Sequence, residues 1–171
     1  MDRYANPRRE KTAFARAKFT NDMGVPLLSE NGFIYRAGNL IGNTAVKFAP
    51  SRAEVTLLFG PEQSIPLDFR VLSEFKGDEG IFTKPNTREE ALEFDVENLG
   101  ADTQNITVAY VLPIIENEDV EVDLNVQPKP SETDVDGMNG RAEWNITLAP
   151  GQKQTFTLDA KITWPEGGQI F

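Results

Sequence analysis

The stretch KQTFTLDAKITW, residues 153–164, decides the fold class. Phe156, Leu158, Ala160, Ile162 and Trp164 alternate with Thr155, Thr157, Asp159, Lys161 and Thr163. A period of two throws successive side chains to opposite faces of an extended chain, so this run predicts a strand with one buried and one wet face. Just upstream, Ala142, Trp144, Ile146 and Leu148 alternate with Arg141, Glu143, Asn145 and Thr147. Between the runs sits Ala149-Pro150-Gly151, with proline suited to the first turn position and glycine to the second. The two strands read as a hairpin.

The same period recurs outward from there. Leu92, Phe94 and Val96, then Ile106, Val108, Tyr110 and Leu112, flank Asn98-Leu99-Gly100-Ala101-Asp102 and predict a second hairpin. Val120, Val122, Leu124 and Val126 predict a strand that Pro128 and Pro130 end. Ile65, Leu67, Phe69 and Val71 form another, and Val55, Leu57 and Phe59 a short one before a break at Gly60-Pro61. Phe33-Ile34-Tyr35-Arg36 and Leu40-Ile41 flank the turn Ala37-Gly38-Asn39, and residues 14–19 predict the first strand. Apolar spacing of three and four with caps, the mark of a helix, is absent. The expectation is an all-β chain of about nine or ten strands with little or no helix. Short strands with one clean polar face suit an antiparallel β-sandwich of immunoglobulin- or fibronectin-like type. The polar interval 76–90 reads as a long loop or hairpin, with a subdivision there as the alternative.

Composition narrows function by exclusion. A chain of 171 residues with 39% hydrophobic content and eleven Phe can fill one core without staples. The net charge of −10 repels phosphate backbones and anionic lipid surfaces, so no nucleic-acid partner is expected. Arg3, Arg8, Arg9, Lys11, Arg16 and Lys18 crowd the beginning, and residues 1–12 read as a flexible, solvated basic arm ahead of a domain at 13–171. Histidine and cysteine are both absent, which removes imidazole general bases, thiolate nucleophiles, disulfides and zinc cages. Residues 1–7 have no apolar signal core, and no run approaches the roughly 20 apolar residues of a membrane span, so no direct membrane insertion is expected.

Four constellations are candidates for chemistry. In PSETDVDGMNGRAE, residues 130–143, Asp134, Asp136, Gly137 and Glu143 fit a calcium-loop pattern, with Glu132 in the first position. Carboxylates two apart in a tight turn converge on a hard cation and a distal Glu closes the shell, so Glu132, Asp134, Asp136 and Glu143 are the candidate calcium ligands. The same residues also build an ordinary Gly/Asn/Asp turn without an ion, and Glu143 on an outward strand position would point away from the loop. The acidic run Glu116-Asn117-Glu118-Asp119 with Glu121 and Asp123 reads as a solvated face, with calcium or basic partners as the alternative. Twenty-seven acids make a glycosidase-like carboxylate pair conceivable, though those the pattern places lie on wet strand faces. Tyr35, Tyr110, Trp144 and Trp164 would make a sugar-stacking platform only if they left the core, and three of them fall on inward phases. Asn105-Ile106-Thr107 and Asn145-Ile146-Thr147 match glycosylation sequons.

FDVENLGADTQNITVAYVLPIIENEDVEVDL, followed by TDVDGMNGRAEWNITLAPGQKQTFTLDAKITWP, resembles the C-terminal domain of mucoidy-inhibitor-A-like bacterial proteins, a domain of unknown function. FTNDMGVPLLSENGFIYRAGNLIGNTAVKFAP and EVTLLFGPEQSIPLDFRVLSEFKG are similar to its earlier run, so the resemblance covers about residue 14 to 171. It implies a C-terminal piece or reduced relative of a longer protein whose upstream part bears a coiled coil. It supplies no catalytic residues, and it matches Asp134-Val135-Asp136-Gly137 to an acidic turn before the Trp strand. The resulting expectation is a non-catalytic interaction or structural module of a larger bacterial protein, in the cell envelope or periplasm. It would meet a protein partner through sheet edges or loops. A calcium- or carbohydrate-binding module and a carboxylate-based hydrolase fragment are the alternatives.

Overall fold

The computed structural model describes residues 2–36, 38–78, 86–114, 117 and 119–165. The first five strands are β1 (Asp2–Ala5), β2 (Thr12–Thr20), β3 (Glu30–Arg36), β4 (Asn39–Val46) and β5 (Glu54–Asp78). The rest are β6 (Asn86–Glu97), β7 (Gln104–Val111), β8 (Glu121–Gln127), β9 (Arg141–Leu148) and β10 (Lys153–Trp164). A single 3-10 turn, Val135–Gly137, is the one helical element among the described residues. The chain is therefore all-β, with ten strands among the described residues. Eight of them join in the order β8-β10-β6-β5-β2-β1-β7-β9, and β3 and β4 form a separate two-stranded sheet.

β5 is the joint of the large sheet. Its first part pairs with β2 as far as Pro66, and from Leu67 onward it pairs with β6. Gly60 takes φ 85°, and Pro61 and Pro66 lack backbone N–H donors, so the ladder to β2 shifts register twice along this part. The Gly60-Pro61 break expected between two strands is thus an irregularity inside one strand of 25 residues. The sheet curls about it. One arm holds β2, β1, β7 and β9, and the other holds β6, β10 and β8.

The inner faces of the two arms meet. Trp144 on β9 stands edge-on to Phe94 on β6 and Phe156 on β10, with ring centroids 6.1 and 5.5 Å apart. Tyr110 on β7 stacks on Phe94 at 5.7 Å and on Phe69 of β5 at 6.3 Å. Burying rings of this size contributes about 2–3 kcal/mol each, so this contact between arms is a main source of stability. Where strand patterning suggests two separate sheets, the backbone ladder runs unbroken from one arm to the other.

Both expected hairpins prove to be crossings. β9 pairs with β7 and β10 with β6 and β8, so Ala149-Pro150-Gly151 carries the chain from one arm to the other. β6 and β7 are likewise on opposite arms, joined through residues 98–103. Alternation specifies which side chains face the core but not which neighbour supplies the hydrogen bonds, and a short turn can span facing arms as well as adjacent strands. One residue knits the two crossings together. Asn98 is 0% exposed, and its Nδ2 donates to the carbonyls of Leu148 and Asp102 while its Oδ1 accepts from the Gly100 amide. Its backbone amide donates to the Gln152 carbonyl, and its carbonyl accepts from the Gly151 amide.

Residues 1–12, expected as a flexible arm, contain β1, which pairs antiparallel with β2 and parallel with β7. Four residues are too few for alternation to declare a strand, and this parallel pairing departs from an all-antiparallel sheet. The interval 76–90 includes residues 79–85, outside the described residues. On either side of them β5 and β6 stay paired, Lys76 with Arg88 and Asp78 with Asn86.

The β3–β4 hairpin turns at Gly38, as expected, although Ala37 lies outside the described residues. Buried Asn21 ties its base. The Asn21 Nδ2 donates to the carbonyls of Val25, Ala49 and Pro50, and its backbone pairs with Arg52 and Ala53. A bridge between Leu27 and Ala49 continues this stem. Beyond it the hairpin presents apolar surface, with Phe33 72% and Tyr35 64% exposed, and Leu40 and Ile41 also exposed.

Candidate functional site

The outer face of the sheet is wet on most strands, but on the arm of β2, β1, β7 and β9 it buries charge. Arg16 is 5% exposed, and Thr107 and Glu143 are buried beside it. Thr107 and Glu143 occupy outward positions of strands whose inward positions hold Ile106, Val108, Ala142 and Trp144. The Arg16 guanidinium meets Thr107 and the Arg141 guanidinium meets Glu143, while the segment before β9 pairs along the edge of that strand. The amides of Ser131 and Glu132 donate to the Glu143 carbonyl at 2.9 and 3.1 Å, and Val135 is buried.

Arg16 is held from several sides. Its Nε donates to the Asp2 carboxylate at 3.1 and 3.3 Å, its Nη2 donates to Asp2 and to Thr107 Oγ1, and its guanidinium lies 4.8 Å from the Tyr4 ring centroid. The Thr107 hydroxyl in turn donates to Asn145 Oδ1 at 3.1 Å. Burial pushes the Asp2 carboxyl up, but the hydrogen bonds and charge of Arg16 outweigh it and hold the group below the usual carboxylate range. Arg141 spans two carboxylates, with Nη1 2.7 Å from Asp136 and Nη2 2.8 Å from Glu143. Burial opposes its charge, but the Glu143 hydrogen bond and the nearby negative charges win, so its pKa is raised.

Tyr4, Arg16 and Arg141 form one wall of a cleft of about 620 Å³. Lys18, Glu54, Thr56 and Leu58 continue that wall, and Thr44, Lys47 and Phe48 close it from the hairpin side. Four cations, Arg16, Lys18, Lys47 and Arg141, and two acids, Glu54 and Asp136, therefore line one cleft. The arginines are fixed in ion pairs, so the arrangement supplies a rigid polar wall and aromatic surface, with Lys18 and Lys47 as its less engaged cations. In the sequence Arg16 stands among the basic residues of the leading segment, and neither Asp2 nor Thr107 carries a local signal. The partners of Arg16, namely Asp2, Tyr4 and Thr107, come from β1 and β7, so no local motif marks it.

The candidate calcium ligands are placed apart in function. Asp134 and Asp136 adopt left-handed φ values of 56° and 58°, as a tight Asp/Gly turn allows. The Asp134 Oδ1 accepts from the Gly140 amide at 2.7 Å, capping its own loop. Asp136 and Glu143 both face the Arg141 guanidinium. Glu132 meets Glu143 through a backbone bridge. Among the described residues no group of three or more Asp, Glu, His or Cys side chains converges as a metal site requires.

The other candidates also disperse. Glu116 and Glu118 lie outside the described residues, while Glu121 and Asp123 are exposed on edge strand β8. Of the four aromatics, Trp144 and Tyr110 are core, and the Trp144 indole N–H donates to the Pro128 carbonyl at 2.8 Å. Tyr35 alone is well exposed. Asn105 of the first sequon accepts from the Thr147 hydroxyl at 2.8 Å, across the β7–β9 ladder. No helix among the described residues is long and apolar enough to cross a membrane.

Comparison with known proteins supplies a family. A domain of unknown function, DUF4139, matches residues 7–166. Protein F37C4.5 of Caenorhabditis elegans is 25% identical over 174 aligned positions, which cover 96% of this chain and 31% of the relative. The chain thus spans about a third of that protein's length. No solved structure matches.

Proposed function

The chain belongs to the DUF4139 family, and from that premise we propose that it is a non-catalytic interaction module of a longer, mucoidy-inhibitor-A-like bacterial envelope protein. In this reading the curled sheet is a variant of the immunoglobulin-like sandwich, and the β3–β4 hairpin is the contact surface. The observation that carries it is the exposed apolar side of that hairpin, where Phe33, Tyr35, Leu40 and Ile41 stand clear of the core. Exposed apolar clusters of this kind mark docking surfaces. Supporting it, the chain has neither histidine nor cysteine, and the matched relative is about three times longer.

The test is site-specific photo-crosslinking in cells carrying the full-length protein, with the crosslinker at Tyr35 or Leu40 and a control at Asn125 on the far edge strand. A discrete adduct from the hairpin positions and none from the control supports the reading. Equal adducts, or none, would refute the contact surface. Turnover of any glycoside by the purified chain would refute the non-catalytic claim, and glycan binding that depends on Tyr35 would favour the carbohydrate alternative.

A further inference from the structure

We propose that the cleft between the β2–β1 face and the hairpin stem binds a small ligand with an anionic head and a flat apolar body. This goes beyond the docking role of the hairpin and does not depend on it. Arg16 and Arg141 are already engaged by Asp2 and by Asp136 and Glu143, so they form a rigid polar wall rather than the grip itself. The grip falls to two lysines. Lys18 holds only a loose contact to Glu54, at 3.6 Å with both side chains substantially exposed. Lys47 is exposed and has no ion pair among the described residues, and it faces the same space. An anion entering the cleft meets the Lys47 ammonium and competes with Glu54 for Lys18, a contact loose enough to exchange.

The body of the ligand is set by the remaining lining. Tyr4 and Phe48 supply aromatic surface, Leu58 an apolar contact, and Thr44 and Thr56 hydroxyls near the lysines. At about 620 Å³ the cleft lies within the usual range of small-molecule sites and is far larger than a bare ion needs. The shared chemistry is a carboxylate or a phosphate carried on a ring, and the experiment separates the two.

Full-length chain labelled with ¹⁵N would be titrated with phenyl phosphate, benzoate and inorganic phosphate. The expected result is saturable shifts confined to amides near Thr44, Lys47, Thr56 and Tyr4, produced by phenyl phosphate, by benzoate or by both, according to the head group preferred. Inorganic phosphate should bind at least about tenfold more weakly, since it leaves the aromatic wall unused. Lys18→Gln/Lys47→Gln should weaken binding roughly tenfold without changing the rest of the spectrum, and binding should fall as salt rises from about 50 to about 500 mM. Shifts scattered over the surface, shifts unaffected by the double variant, or phosphate binding as tightly as its phenyl ester would each overturn the proposal.

Discussion

Replacing Asn98 tests the architecture most directly, because this side chain joins the two crossings between arms. Asn98→Ala removes two donations from Nδ2, to Leu148 and Asp102 at 2.9 Å, and one acceptance by Oδ1, from Gly100 at 3.0 Å. Three such bonds at about 1 kcal/mol each sum to about 3 kcal/mol. The Leu148 carbonyl is buried and finds no water, so its share carries the full desolvation penalty, while Asp102 and Gly100 rehydrate in part. The expected loss is about 3–4 kcal/mol. With a urea m-value of about 2 kcal/mol/M, the unfolding midpoint should fall by roughly 1.5–2 M at constant slope.

Asn98→Asp sharpens the test. It keeps the size and one acceptor but turns a carboxylate toward two carbonyl oxygens. At pH 7 it should be at least as damaging as Asn98→Ala, and it should recover as the pH falls below about 5 and the carboxyl protonates, since burial among acceptors favours its neutral form. Asn125→Ala is the control, because its side-chain contacts lie on an exposed face at 3.4 and 3.5 Å, and it should stay within about 0.5 kcal/mol of wild type. A loss below about 1 kcal/mol for Asn98→Ala would refute the reasoning. The crossings would then be held by backbone pairing and core packing, with little share from the buried amide.

Three further outcomes are expected. Asp95 accepts from Thr155 and from Arg70 and Lys153; burial opposes its charge, but these partners together hold its pKa below the usual carboxylate range. Its stabilising contribution is therefore full above the unfolded value near pH 4 and lost as pH falls through the lower folded value, so wild type should exceed Asp95→Asn by roughly 1–2 kcal/mol at pH 7 and converge with it in urea titrations as the pH falls through that folded value. Gly140 takes φ 73°, and a Cβ there would lie 2.7 Å from the Leu112 carbonyl oxygen, so Gly140→Ala should cost about 2–3 kcal/mol in thermal unfolding; an unchanged melting temperature would contradict that geometry. Calcium should move the wild-type melting temperature by less than about 1 °C, whereas a larger rise that disappears in Asp134→Asn/Asp136→Asn would support the loop as a metal site.

What the sequence made legible follows from what alternation encodes. Phe156, Leu158 and Ala160, and likewise Trp144 and Leu148, are buried as their period requires, and Thr157 and Asp159 are not. Pairing partners were not legible, because a strand's own residues carry no label for the neighbour across the ladder. The turn residues at 98–102 and 149–151 were identified as turns, yet the same Asn, Pro and Gly chemistry serves a hairpin and a crossing. β1 was missed for its length. The cleft was missed because its wall draws on β1, β2, β9 and the loop before β9, positions distant in sequence that no local motif unites.

The two arms carry similar charged chemistry on their outer faces and use it differently. On the β6–β10 arm, Arg70 gathers Asp68, Glu93 and Asp95, but its side chain is 39% exposed and Lys153 beside it is 51% exposed. Water and salt screen its exposed members, Arg70, Asp68 and Lys153, so apart from the buried Asp95 the network contributes little beyond local order. On the other arm the Arg16 side chain is 6% exposed, fixed to Asp2 and Thr107 with Tyr4 against its face. A buried guanidinium is costly unless every side of it is met, and here nearly every side is. Once ordered, it holds Tyr4 and the wall of the cleft in place and leaves Lys18 and Lys47 as the mobile charges. Burial, more than charge count, therefore makes the β2–β1 face the one equipped to hold a ligand.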